Sequence, residues 1–148
     1  MTSPEEHGMS LIVRTVTRLT VGLILLYGIY IVLHGHVSPG GGFAGGVIIA
    51  LSFVHLMLAF GRETAMRALS ESRSALVESL GATLFLGIAV LGFVGGYFFF
   101  NFLGEGEPFT LFSAGTIPLS NISISLKVGG GLFAAAAALV LMRLEPEK

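Results

Sequence analysis

The sequence predicts an all-α membrane protein of four transmembrane helices with both termini in the cytoplasm, a class that three observations point to. Of its 148 residues 53% are hydrophobic and only 11% charged, against about 25% charged residues in an average soluble domain. Four apolar runs, at about 11–33, 43–61, 80–103 and 121–142, each approach the ~20 residues needed to cross a hydrocarbon core ~30 Å thick. The basic residues other than Lys127, finally, lie at the start of the first run, between the second and third, and after the fourth, segments on one side of the membrane that the positive-inside rule assigns to the cytoplasm.

The polar start MTSPEEHGMS lacks the basic residues and small-residue cleavage site of a secretory signal, so the first helix is expected to insert as its own anchor. That helix, 11–33, carries Arg14 and Arg18 at its inner end and Tyr27 and Tyr30 toward the outer surface. The outer turn HGHVSPGGGFAGG follows, where Pro39 disfavours a helical Ser38 and Gly40, Gly41 and Gly42 permit positive φ or close backbone approach. Helix two, 43–61, leads to an inner loop with Arg62, Arg67 and Arg73. Helix three, 80–103, ends in the aromatic run Tyr97 to Phe100, expected as an interfacial anchor. The outer loop with Glu105 and Glu107 has no Lys or Arg, and helix four, 121–142, returns to Arg143 and Lys148 inside. In lipid a backbone must satisfy its own hydrogen bonds, so these runs read as helices, and 1–148 as one integral membrane domain.

Composition also excludes. Without cysteine there is no disulfide, thiolate metal site or cysteine nucleophile. A net charge of -1 gives no pull toward nucleic acid. No groups have nucleophile-and-base or metal-ligand spacing beyond His34 and His36 in the flexible turn, so neither enzyme activity, resident metal nor cofactor is expected. Gly40, Gly42 and Gly45 formally match GxGxxG, but that pattern binds dinucleotides only between a strand and a helix. Asn121-Ile122-Ser123 matches a glycosylation sequon, yet at the start of helix four Asn121 reads better as a helix cap.

Small residues four apart, Gly41 and Gly45, Gly42 and Gly46, Gly92 and Gly96, suit close helix packing in lipid. Lys127 shares a helix-four face with Gly131, Ala134 and Ala138, which points it into a protein interface; the alternative is a lysine snorkelling to the outer surface. Its carboxylate partner is expected from Glu105 or Glu107, or from another subunit. His55 lies on a helix-two face with Gly45, Ser52 and Ala59, and Glu78 at the inner mouth of helix three. A proton relay through His34, His36, Lys127, His55 and Glu78 is thereby sketched, with a bland alternative for each member. His55 also suits a hydrogen bond to a carbonyl, and Glu78 the headgroup region.

The stretch HGHVSPGGGFAGG with the following IIALSFVHLMLAFG, and the later GTIPLSNISISLKVGGGLF, resemble the B subunit of Mrp-type multisubunit sodium/proton antiporters, the MnhB family. The resemblance implies a prokaryotic, multi-pass plasma-membrane subunit of a hetero-oligomeric complex that exchanges sodium ions for protons, an accessory part not expected to transport alone. It places the family motif on Pro39, Gly40, Gly41, Gly42, Phe43, Gly45 and Gly46, and a second landmark on Pro118, Asn121 and Lys127, as ion pathway or subunit interface. Docking of a neighbour at the turn is preferred to sodium binding there, since no acidic residue stands beside it. The rival is the equivalent subunit of a membrane-bound hydrogenase or similar redox-driven pump. A self-sufficient small multidrug exporter fits less well, because no Asp or Glu lies between Arg18 and Arg62.

Overall fold

The computed structural model describes residues 9–110 and 113–144. Among these every regular element is a helix, with α1 at Leu11–Leu33, α2 at Gly41–Phe60, α3 at Arg62–Ala68, α4 at Glu71–Leu91 and α5 at Ile117–Leu144. Four of the helices, with α4 extended by a 3-10 turn at Gly92–Gly95, are long and apolar enough to span a membrane. Hydroxyls within them are satisfied locally, as lipid demands: Thr20 and Thr83 donate to Val16 and Ser79 carbonyls, and Ser123 to Leu119.

The first two spans fall close to the apolar runs. Between them Gly40 (φ 137°) and Gly41 (φ 78°) take the positive φ expected of the turn, whereas Gly42 is already helical. Gly61, with φ 88°, closes α2 by donating its N–H to Met57. The expected inner loop is instead largely folded: Arg62–Ala68 forms α3, tied by an Arg62–Glu71 pair at 2.7 Å.

The third span departs most from the hydropathy pattern. It begins at Glu71, nine residues before the expected Leu80, because Ser70 accepts a hydrogen bond from the Arg73 N–H and caps the helix there. Charges at Glu71, Arg73 and Glu78 hide this start from hydropathy alone. The helix also ends earlier than 103: Gly96 (φ 126°) and Phe99 (φ 62°) turn the chain back, so the Phe99 N–H reaches the Ala89 carbonyl and Gly92 and Gly96 form no helical stripe. The fourth span starts at Ile117 rather than Asn121, with Pro118 in the first turn, where a missing N–H costs nothing.

In space the order is α1, α2, α5, α4. The parallel pair α2 and α5 forms the centre, and α1 and α4 flank it, each antiparallel to its neighbour. Glycine sets these distances. A Cβ at Gly42 would collide with the Asn121 backbone, one at Gly46 would lie 2.9 Å from the Ser125 carbonyl, and one at Gly45 the same distance from the Gly28 carbonyl of α1. At the end where α2 stops, Met57, Ala65, Phe133 and Ala137 form the buried apolar cluster, with Phe53 edge-on to Phe133.

Candidate functional site

Close packing of α2 on α5 decides how the glycine-rich turn is built. Asn121 stands one turn inside α5, so it is not the helix cap; its Oδ1 accepts the Gly42 N–H at 3.2 Å. That N–H belongs to the first turn of α2, whose donors lack partners within the helix and whose Gly40 cap has no side chain. One amide from α5 therefore supplies what the turn omits, and joins the two sequence landmarks physically. The motif also divides by direction. Gly41, Gly42, Gly45 and Gly46 are buried inside the bundle, while Pro39 and Gly40 are exposed and Phe43 turns outward, 65% exposed.

The histidines of the turn have local partners. His34 stacks on Tyr30 and donates through Nδ1 to the Tyr30 carbonyl, and His36 donates through Nε2 to the Thr110 carbonyl, tying the turn to the outer loop. His55, on α2, faces α1: its Nε2 lies 3.1 Å from the Thr17 hydroxyl and 3.5 Å from that of Thr20. Thr17 is buried, so this is a polar contact held within the helix pair. Among the described residues no carbonyl is a hydrogen-bond partner of that ring, and Glu78 is not one either.

Glu78 is elsewhere. The early start of α4 places it two turns into the span, not at its mouth, where its Oε1 accepts from Lys127 Nζ at 3.2 Å. The expected partners Glu105 and Glu107 do not serve; the carboxylate comes from within the chain. Lys127 lies about 15 Å along α5 from Ile117, at 1.5 Å per residue, near the middle of its span. Glycine again prepares the site, for the Glu78 carboxylate lies across Gly131, where a Cβ would be 3.3 Å from it. Ser74 fixes α4 on α5 beside it by donating to the Gly130 carbonyl at 2.7 Å.

The sketched relay is thus brought together in one part only. Lys127 meets Glu78, whereas His55 meets α1 on the far side of the central α2–α5 pair. Among the described residues no three His, Asp or Glu side chains gather as a metal site. Sequence reasoning missed Thr17, Thr20 and Ser74, which are ordinary residues in membrane helices; the signal for the Glu78–Lys127 pair was Ser70 as a helix cap.

A glycine-rich turn locked by an asparagine, set beside a lysine that meets a carboxylate in mid-span, can be compared with known proteins. The family model described as a domain related to the MnhB subunit of Na+/H+ antiporter matches residues 12–134. The chain belongs to the MnhB family. Among curated relatives, an uncharacterised protein of Methanocaldococcus jannaschii is 41% identical over 134 residues, 85% of this chain and 50% of the relative. The B subunit of the Na(+)/H(+) antiporter of Bacillus subtilis is 37% identical over 115 residues, 78% of this chain and 73% of that protein. The chain therefore spans about half the length of the archaeal relative. A solved chain of the membrane-bound sulfane sulfur reductase, an archaeal respiratory membrane complex, superposes with a TM-score of 0.76 at 29% identity, over 93% of this chain and 60% of that one.

Proposed function

We propose that the chain is an accessory membrane subunit of a multisubunit cation/proton antiporter, in a prokaryotic plasma membrane, with sodium ions and protons as the transported species. The observation that carries this reading is the family match across all four spans, 12–134. The division of the turn supports the accessory role. Its inward glycines build the subunit, and Pro39, Gly40 and Phe43 are free to receive a neighbouring chain. No acidic residue lies beside the turn in the sequence, which favours docking over cation binding there. Any ion route through this subunit has Glu78 and Lys127 as its step within the membrane. His55 belongs to the route only if another subunit or water connects it.

Affinity purification of the tagged chain in mild detergent, with sodium-driven proton movement measured in inverted vesicles, tests the proposal. Co-purification of larger membrane subunits and loss of antiport on deleting this one are expected; a lone homodimer overturns it. The likeness to a respiratory complex favours one second reading, an equivalent subunit in a redox-driven ion pump. Redox subunits in the same preparation would decide for it.

A further inference from the structure

Three of the basic side chains already have a carboxylate: Arg62 meets Glu71 at 2.7 Å, Arg67 meets Glu63 at 3.2 Å and Lys127 meets Glu78 at 3.2 Å. Arg14, Arg18 and Arg73 meet none among the described residues. The first two form a pair, one turn apart on α1 and so about 6 Å apart along its axis. Their place follows from the register of α1 on α2. With Thr17 at His55 and the Arg18 guanidinium 5.6 Å from the centre of the Phe60 ring, Arg14 lies one turn further out, toward the end where α2 closes at Gly61 and Arg62 follows.

The guanidinium groups there are positioned but not satisfied. Phe60 holds Arg18 over its ring, a contact that orients the cation without neutralising it. The Nε atoms of Arg14 and Arg62 are buried and lack an acceptor among the described residues, although another nitrogen of Arg62 reaches Glu71. What the site lacks is negative charge spread over several oxygens. The side of α1 that carries the pair is also open along its length. Gly22, one turn beyond Arg18, has no atom within 4 Å of where a Cβ would stand, and Leu19 and Leu23 beside it are 74% and 62% exposed. A polar demand at the end of the helix thus continues into an apolar strip suited to acyl chains.

We propose that Arg14 and Arg18 bind the phosphate of an anionic phospholipid, whose acyl chains lie along α1 past Gly22. Charge complementarity commits the site to this occupant. A phosphodiester offers two charged oxygens, which guanidinium groups bind in bidentate fashion. A headgroup without an amine leaves both arginines with no competing cation, whereas a zwitterionic lipid brings its own ammonium into the same space. Basic side chains between spanning helices, at the cytoplasmic end, are the form that pockets for acidic headgroups take. The site lies at the opposite end of α1 from the glycine-rich turn, and it does not depend on which ion the complex moves.

The test uses the tagged chain, purified in mild detergent with the subunits that accompany it and returned to nanodiscs of phosphatidylcholine. A photoreactive phosphatidylglycerol, or a photoreactive phosphatidylcholine of the same acyl chains, is the minor component. Phosphatidylglycerol is expected to label peptides of residues 9–23 or 56–62 about tenfold more than phosphatidylcholine does. Arg14→Gln and Arg18→Gln are each expected to lower that labelling about fivefold, the share of one basic side chain at an anionic surface. Arg67→Gln with Arg73→Gln removes two positive charges from the same end and is expected to change it by no more than about twofold, since those charges lie on other helices and are screened. An equal loss there would make the effect one of overall charge and overturn the proposal. Equal labelling by the two lipids, labelling confined to other subunits, or labelling that neither single substitution lowers overturns it as well. So does labelling that inorganic phosphate removes at matched ionic strength, which leaves a free anion as the occupant. Labelling that appears only with Glu5→Gln and Glu6→Gln assigns the arginines to the chain's own acidic start, and overturns it too.

Discussion

Asn121 and Gly42 show how much a single contact carries when lipid rather than water surrounds a bundle. The Gly42 N–H is half-buried at a helix start and has the Asn121 oxygen as its partner. Replacing Asn121 by Ala is expected to cost about 1–3 kcal/mol, the penalty of an orphaned donor, read as earlier thermal unfolding of the chain in detergent. Gly42→Ala is expected to be worse, because the added carbon meets the Asn121 backbone, which cannot move without separating α2 from α5. Phe43→Ala should behave differently. Its ring points away from the bundle, so the purified subunit should unfold at an unchanged temperature while recovery of co-purifying subunits falls; the reverse pattern would remove Phe43 from the interface. At His55, substitution by Leu leaves the buried Thr17 hydroxyl without its ring partner. A stability loss of about 1–3 kcal/mol with antiport unchanged would make it structural.

Among the elements, α4 is the instructive one. Its start depends on one hydroxyl, since Ser70 accepts from the Arg73 N–H. Ser70→Ala should cost about 0.5–2 kcal/mol and appear as faster hydrogen exchange at residues 71–74, with the rest of α4 unaffected. The first and second spans were legible because, between Arg18 and Gly61, only Thr20, Tyr27, Tyr30, Ser52 and His55 interrupt their apolar residues and no Lys, Arg, Asp or Glu does. In α4 the hydropathy pattern and the helix disagree: Glu71, Arg73 and Glu78 belong to the helix but not to the apolar run, and Phe98 to Leu103 belong to the run but not to the helix. Local cap chemistry at one end and positive φ at Gly96 and Phe99 at the other override the pattern. That displacement carried Glu78 from the expected membrane edge to the depth of Lys127, and with it the partner that the lysine required.

For the whole molecule, orientation is a proposal that its composition makes easy to examine. Both termini are proposed to be cytoplasmic, from the placement of Arg14, Arg18, Arg62, Arg67, Arg73 and Arg143. With no native cysteine, single cysteines at Ser70 and at Glu105 are unambiguous probes. In intact cells an impermeant thiol reagent is expected to label the Glu105→Cys chain and not the Ser70→Cys chain, and the opposite result reverses the topology. The bundle is thin, four helices in a bent row, with much large apolar surface facing outward. Such a shape is stable in lipid because exposed leucines cost nothing there, whereas the exposed Glu78–Lys127 pair does.

By itself the sequence determined the number of spans, their order, the family and the residues of the two landmarks, because these follow from hydropathy, turn chemistry and local pattern. Tertiary structure alone decided which residues meet: Asn121 with Gly42, His55 with Thr17, and Lys127 with Glu78 rather than with an acid of the outer loop. The physical reason is that long-range contact in lipid depends on helix register and rotation. Those are set by close glycine approaches between helices far apart in the chain, and no single run of residues records them.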